Sequence, residues 1–240
     1  MTAALECRGV WKSYASRRIG LKTLLLGQRA ARTSRYARRW ALQDVSFEVS
    51  RGQAFGVLGA NGMGKTTLLS VLLGIVQPER GSVSLRGRVA SLLELGAGFH
   101  PELSGRDNLF LYGSILGMRR REVAERLRAI VEFSELGDAV EEPLRTYSAG
   151  MITRLGFSLM AHAPADVFLI DEVLAVGDAR FQEKCRAHLL EFKRRNGTLV
   201  IVSHDMEALA ALCDEGIRLD MGQVADAGRI GELIGRYQTQ

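Results

Sequence analysis

The most explicit chemistry in the chain lies in GANGMGKTT, residues 59–67. The stretch matches G-x-x-x-x-G-K-[ST], with a compact apolar run (QAFGVLG, 53–59) before it and helically spaced apolar residues (KTTLLSVLLG, 65–74) after it. Gly59, Gly62 and Gly64 let backbone N–H groups turn inward around phosphate oxygens. The N-terminus of the following helix adds partial positive charge at the same point. In such a loop Lys65 reaches the β- and γ-phosphates of a nucleoside triphosphate, and the Thr66 hydroxyl ligates Mg²⁺. Asn61 and Thr67 belong to the same phosphate-binding run. A second group, VFLIDE (167–172), is an apolar run ending in two acids. A buried strand of this kind delivers Asp171 at its C-terminal end, where open α/β sheets bind ligands. Asp171 would hold Mg²⁺ through water, and Glu172 would polarise the attacking water. Together the two motifs describe a nucleoside triphosphatase and leave its kind open.

The elements that must position these residues follow from the apolar spacing. Residues 3–14 predict a short strand and a turn. ALQDVSFEV (41–49) alternates as a half-buried strand does. SVSLRGRVASLL predicts paired strands. From Pro101 to about Ala165 the texture is helical, and RREVAERLRAIVEFSEL (120–136) repeats apolar residues every three or four positions. Strand character returns at DVFLID (166–171) and GTLVIVS (197–203), with a helix between them and another after His204. Strands alternating with helices give an α/β core with a mainly parallel sheet. The helical block at about 101–165 interrupts it as a subdomain of a single 1–240 domain.

Composition narrows the classes. Hydrophobic residues are 47% and charged ones 25%, as in ordinary globular proteins. Residues 17–40 hold eight basic side chains and no acid. The whole-chain charge of +5 is smaller than that, so the remainder is net acidic. Basicity is therefore local, which argues against nucleic acid as a partner. Three scattered cysteines form no C-x-x-C pair and read as reduced thiols. The N-terminus lacks the plan of a secretory signal. No apolar run reaches the ~18 residues of a spanning helix. A cytosolic chain is expected, with any contact with a membrane made at its face or through a partner.

YSAGM (147–151), ahead of a helical run and upstream of Asp171, settles the kind of triphosphatase by resemblance. The sequence resembles the ABC-transporter ATPases, whose signature usually reads LSGGQ. Ser148 and Gly150 match it; Tyr147, Ala149 and Met151 depart. The resemblance implies a P-loop ABC fold: a RecA-like core, an N-terminal antiparallel β subdomain and a helical subdomain. It implies that Ser148, Gly150 and the D-loop Asp178 contact ATP bound to the opposite subunit of a homodimer. His204 resembles the switch histidine that senses the γ-phosphate, and Tyr14 the aromatic that stacks on adenine. The family's Q-loop glutamine is missing. Glu94 takes its place as a possible Mg²⁺ ligand, with Leu95 there instead if the alignment shifts by one.

LLELGAGFHPELSGRDNL, YSAGM and DEVLAVGD together resemble the ATPase subunits of O-antigen and teichoic-acid exporters. That group also has a long insertion after the stacking tyrosine, here about 15–40. The resemblance implies export of a lipid-linked polysaccharide by an ATPase homodimer beneath separate transmembrane permease subunits. In the insertion, Leu21, Leu24, Leu25 and Gln28 share one helical face; Lys22, Arg29, Arg32, Arg35 and Arg39 roughly follow another. Such a stretch suits an anionic membrane surface or lipid phosphates, or else a solvated loop. Because the chain stops at Gln240, no C-terminal glycan-binding domain is expected. The alternatives are an importer or small-molecule exporter ATPase and a non-transport ABC protein.

Overall fold

A computed structural model of the chain describes residues 2–16, 37–91, 98–171 and 177–239. Two sheets enclose the core. The smaller is antiparallel, ordered β2 (Ala37–Ser50), β1 (Ala3–Ser16), β4 (Arg80–Leu85). The larger is ordered β5 (Val89–Ser91), β6 (Val167–Asp171), β7 (Thr198–Ser203), β3 (Ala54–Leu58), β8 (Glu215–Asp220), β9 (Gln223–Arg229). All its pairings are parallel except β8 with β9. Every residue of β3 and β7 is buried, as expected of parallel strands covered on both faces.

Helix α1 (Lys65–Leu72) packs Leu68 and Leu69 between the sheets, against Leu5, Val45, Val57 and Val200. On the other face of the large sheet, Phe157, Phe168, Phe181, Leu209 and Leu233 form a second core. Helices α2 (Gly105–Ile115), α3 (Arg120–Ser134) and α4 (Ala149–Ala161) share a third, around Leu109, Tyr112, Val123, Ile130 and Leu155. Ser104 caps α2 by accepting from the Asp107 N–H, and Glu122 in α3 accepts from the Arg119 N–H. The remaining helices are α5 (Ala179–Arg194), α6 (Met206–Leu212) and α7 (Ile230–Gln238).

Two sequence expectations need correction. Residues 3–14 form no strand-plus-turn; β1 runs unbroken to Ser16. Its pairing with β2 shifts register between Cys7 and Val10, where Gly9 takes a φ of 55°. SVSLRGRVASLL does supply two strands, but they do not pair. β4 joins β1 in the small sheet, while β5 runs parallel to β6 in the large one. The hairpin β8–β9 and α7 have no counterpart in the sequence reading.

Cys7, Cys185 and Cys213 are free and buried, and burial pushes each thiol up to about 12. His162 and His188 bond the carbonyls of Ser158 and Ala161, both at 2.8 Å, and pack edge-on against Phe133. Burial lowers both imidazoles below their usual range.

Candidate functional site

The order β6–β7–β3 decides which side chains meet. Leu58 pairs with Ser203, and Asp171 with Val202, so the three neighbouring strands end at one level. Beyond those ends lie the loop at 59–64 from β3, Asp171 itself closing β6, and His204 following β7. Three residues far apart in sequence thus reach one edge of the sheet, the edge at which open α/β sheets bind ligands.

The loop is shaped by main-chain contact. Gly64 caps α1 at φ 101°, and a Cβ there would lie 2.4 Å from the Ala41 carbonyl oxygen. A Cβ on Gly59 would lie 2.5 Å from the Leu219 carbonyl oxygen. Neither position has room for a side chain. Lys65 is buried and donates to the carbonyls of Gly59 (2.7 Å) and Ala60 (3.1 Å). No acid stands in the first turn of α1, so its N-terminal N–H groups meet no carboxylate from their own turn.

An open cleft of about 450 Å³ lies over this loop. Asn61, Gly62, Gly64, Lys65, Thr66 and Thr67 line it from one side, and Tyr14, Arg39, Trp40 and Ala41 from the small sheet. The turn of the β8–β9 hairpin contributes Met221 and Gly222. That turn is docked by backbone bonds from Gln43 N–H to Gly222 (2.7 Å) and from Gly222 N–H to Met63 (3.1 Å). Tyr14 is 45% exposed, with the Lys12 ammonium 5.7 Å from its ring centre. The cleft thus joins an exposed aromatic to a phosphate-type loop.

The structure gives Arg39 a setting that its place in the charge run does not show. The sequence reading groups it with Arg29, Arg32 and Arg35 as a lipid-headgroup contact. In the structure it pairs with Tyr14 across the β1–β2 ladder and lines the cleft. Charge-run reasoning pools it with its neighbours in sequence, whereas strand register separates it from them.

Ser148, Gly150 and Asp178 belong to a different face. Ser148 is exposed at the N-cap of α4, its hydroxyl accepting from the Met151 N–H at 3.2 Å. The atom nearest to a Cβ built on Gly150 is the Ser148 hydroxyl, at 3.8 Å. Tyr147 is anchored below them, its hydroxyl donating to the Ala139 carbonyl at 2.5 Å. Asp178 caps α5 by accepting from the Phe181 N–H at 2.9 Å. That bond, followed by the nearby Arg154 and Arg180, holds its carboxyl below the usual range.

Arg154, which the sequence reading omits, ties these pieces together. It donates to Asp178 at 2.6 Å and to Glu135 at 3.4 Å, with its guanidinium over Phe181. Lys184 holds the other Glu135 oxygen at 2.9 Å. The available signal was helical: Arg154 lies four residues after Gly150 on the same helix. Met221 and Gly222 carried no signal, because their hairpin was unread.

Glu172, Glu94, Arg29, Arg32 and Arg35 lie outside the described residues. Asn108, fully buried, organises the loop after the missing-glutamine region. Its side chain accepts from the His100 N–H (2.6 Å) and donates to the carbonyls of His100, Leu103 and Ser104. Among the described residues, no helix is long and apolar enough to cross a membrane.

Comparisons with known proteins agree with this geometry. The sequence model of the family described as ABC transporter matches residues 42–175. The O-antigen export system ATP-binding protein RfbB of Klebsiella pneumoniae is 44% identical over 220 residues, 91% of this chain and 89% of that protein. The teichoic acids export ATP-binding protein TagH of Lactococcus lactis is 40% identical over 199 residues, 83% of this chain and 42% of that protein. A dimeric ATP-binding cassette, solved in a post-hydrolysis state with ADP and Pi, superposes with a TM-score of 0.75. It is 18% identical, with 94% of this chain and 98% of that one covered.

Proposed function

This chain belongs to the ABC transporter family, and on that premise we propose that it is the ATP-binding and hydrolysing subunit of an exporter of lipid-linked polysaccharide. One observation supports ATP as the ligand above the rest. The phosphate loop, Asp171 and His204 leave three adjacent strands at one edge, and the cleft over that loop is also lined by Tyr14. The cargo is supported by a full-length likeness to an O-antigen export ATPase.

In this reading Tyr14 stacks on the base. The turned-in N–H groups of 59–66 surround the phosphates, and the Lys65 ammonium swings from the loop carbonyls onto the β- and γ-phosphates. Thr66 and Asp171 offer one hydroxyl and one carboxylate, the small oxygen set that suits a Mg²⁺ retaining water and phosphate ligands. Mg²⁺ bound there would neutralise charge on the phosphates. Glu172 accepts a proton from the attacking water, and His204 stabilises the transferred phosphoryl group.

Ser148, the α4 N-terminus at Gly150 and Asp178 face a second copy of the chain and complete that copy's site. ATP binds the closed dimer better than the open one, and this difference drives separate permease subunits at the cytoplasmic membrane. The test is ATPase activity of the chain reconstituted with its proposed permease subunits, with and without lipid-linked polysaccharide. Stimulation by the glycolipid is expected. Indifference to it would leave an ABC ATPase with another cargo.

A further inference from the structure

Successive residues of a strand point to opposite sides of its sheet. Arg38 and Arg39 show what that does to two identical side chains. Arg38, opposite Ala15, turns to Glu79 at 3.5 Å. Glu79 also accepts from the Ser13 N–H and hydroxyl at 3.0 and 2.6 Å, so Arg38 joins a local network. Arg39, opposite Tyr14, turns the other way into the cleft over the phosphate loop. Its side chain is exposed and makes no ion pair or hydrogen bond among the described residues.

The cleft around it is lopsided in charge. Its described lining holds two cations, Arg39 and Lys65, and no carboxylate. An uncompensated guanidinium with five donors and no acceptor suits an anionic oxygen ligand. Position narrows which oxygens these are. Lys65 and Thr66 line the cleft from the phosphate loop and α1, Tyr14 from the strand beside Arg39. A nucleotide laid between them puts its ribose and first phosphate beside the strand that carries Arg39. Directly opposed residues on an antiparallel ladder have Cβ atoms about 5 Å apart, so Arg39 starts level with the stacking ring and reaches past it.

We propose that Arg39 is a nucleotide-binding residue, contacting the phosphate nearest the ribose while Lys65 serves the two beyond it. This rests on the nucleotide reading of the cleft and adds to it a cation from outside the phosphate loop. The contact is to phosphate, so it is indifferent to the base.

Titration calorimetry of the full chain with ATP, ADP and GTP tests this. Arg39→Ala should weaken all three roughly tenfold, the scale of one charge-assisted hydrogen bond in a solvent-open site. Arg39→Lys, keeping a point charge, should stay within about threefold. Arg38→Ala, on the opposite side of the sheet, should leave all three affinities unchanged. The melting temperature of each variant is recorded alongside. Unchanged affinity in Arg39→Ala, with binding abolished in Lys65→Ala, would overturn the role of Arg39 and leave the cleft a nucleotide site. A loss confined to one base would overturn the phosphate contact. Failure of the unmodified chain to bind any of the three would remove the nucleotide reading, and this proposal with it.

Discussion

The cleft over the phosphate loop and the face bearing Ser148 and Asp178 are built by different means. The cleft is set by main chain against main chain. Ala41, Leu219 and the glycines at 59, 64 and 222 approach so closely that a Cβ on any of the three would lie within 2.5 Å of a carbonyl oxygen. The other face is held by side chains, with Arg154 reaching to Asp178 and Glu135. Ser148 is exposed there, and Gly150 has space beside it. A single chain therefore gives a nearly finished phosphate cradle. The other face carries an exposed hydroxyl and carboxylate that cap α4 and α5 and, in the proposed function, meet a second copy of the chain.

In the proposed function the two faces meet in hydrolysis, so the largest expected effect comes from the residue proposed to act when they close. Glu172→Gln should lower kcat by at least about 100-fold, the smaller end of what a general base contributes. ATP affinity should stay within about threefold, because the cradle is untouched. Robust turnover by that variant would remove Glu172 from its role and leave the closed dimer without a base.

Gly64→Ala and Gly150→Ala break the comparison from its two sides. At 64 the new methyl meets the Ala41 carbonyl oxygen, in a conformation with φ 101° that L side chains rarely adopt. A loss of about 1–3 kcal/mol from backbone strain alone is expected, with ATP binding lost too. Calorimetric melting and ATP titration check both. At 150 the same change is helical and unobstructed. Alanine there should leave the melting temperature unchanged or raise it by up to roughly 3 °C. ATP-dependent dimerisation should nonetheless weaken about tenfold or more, as measured by sedimentation. If Gly150→Ala instead destabilises the monomer, the glycine serves this chain's own fold and the half-site argument fails.

What the sequence made legible follows the same division. Gly59, Lys65 and Thr66 are readable because the chemistry and its scaffold are contiguous, one strand, one loop and one helix. Asp171 and His204 are readable because each ends an apolar run. Pairing between strands is not readable that way. Alternation marks β4 and β5 as strands, but it holds no information about which sheet takes each. Arg39 is read only as part of a charge run for the same reason: the long insertion hides its register against Tyr14. The hairpin turn at Met221 reaches the cleft through backbone hydrogen bonds, which any sequence could make.

The smallest effect concerns the ion cluster itself. Asp178 is held low first by the Phe181 N–H, then by Arg154 and Arg180. A carboxyl with a depressed folded pKa stabilises the fold above its unfolded pKa, and that contribution fades as pH falls through the folded value. Arg154→Met removes one of the charges and keeps the α5 cap. Asp178 should then titrate higher than in the unmodified chain, yet still below an ordinary aspartate. Glu135 should move less, because Lys184 is its main partner and Arg154 its weakest. Carboxyl NMR of the unmodified chain and of Arg154→Met separates the two residues. A larger shift at Glu135 than at Asp178 would mean that Arg154 braces the end of α3 rather than the face beside Ser148.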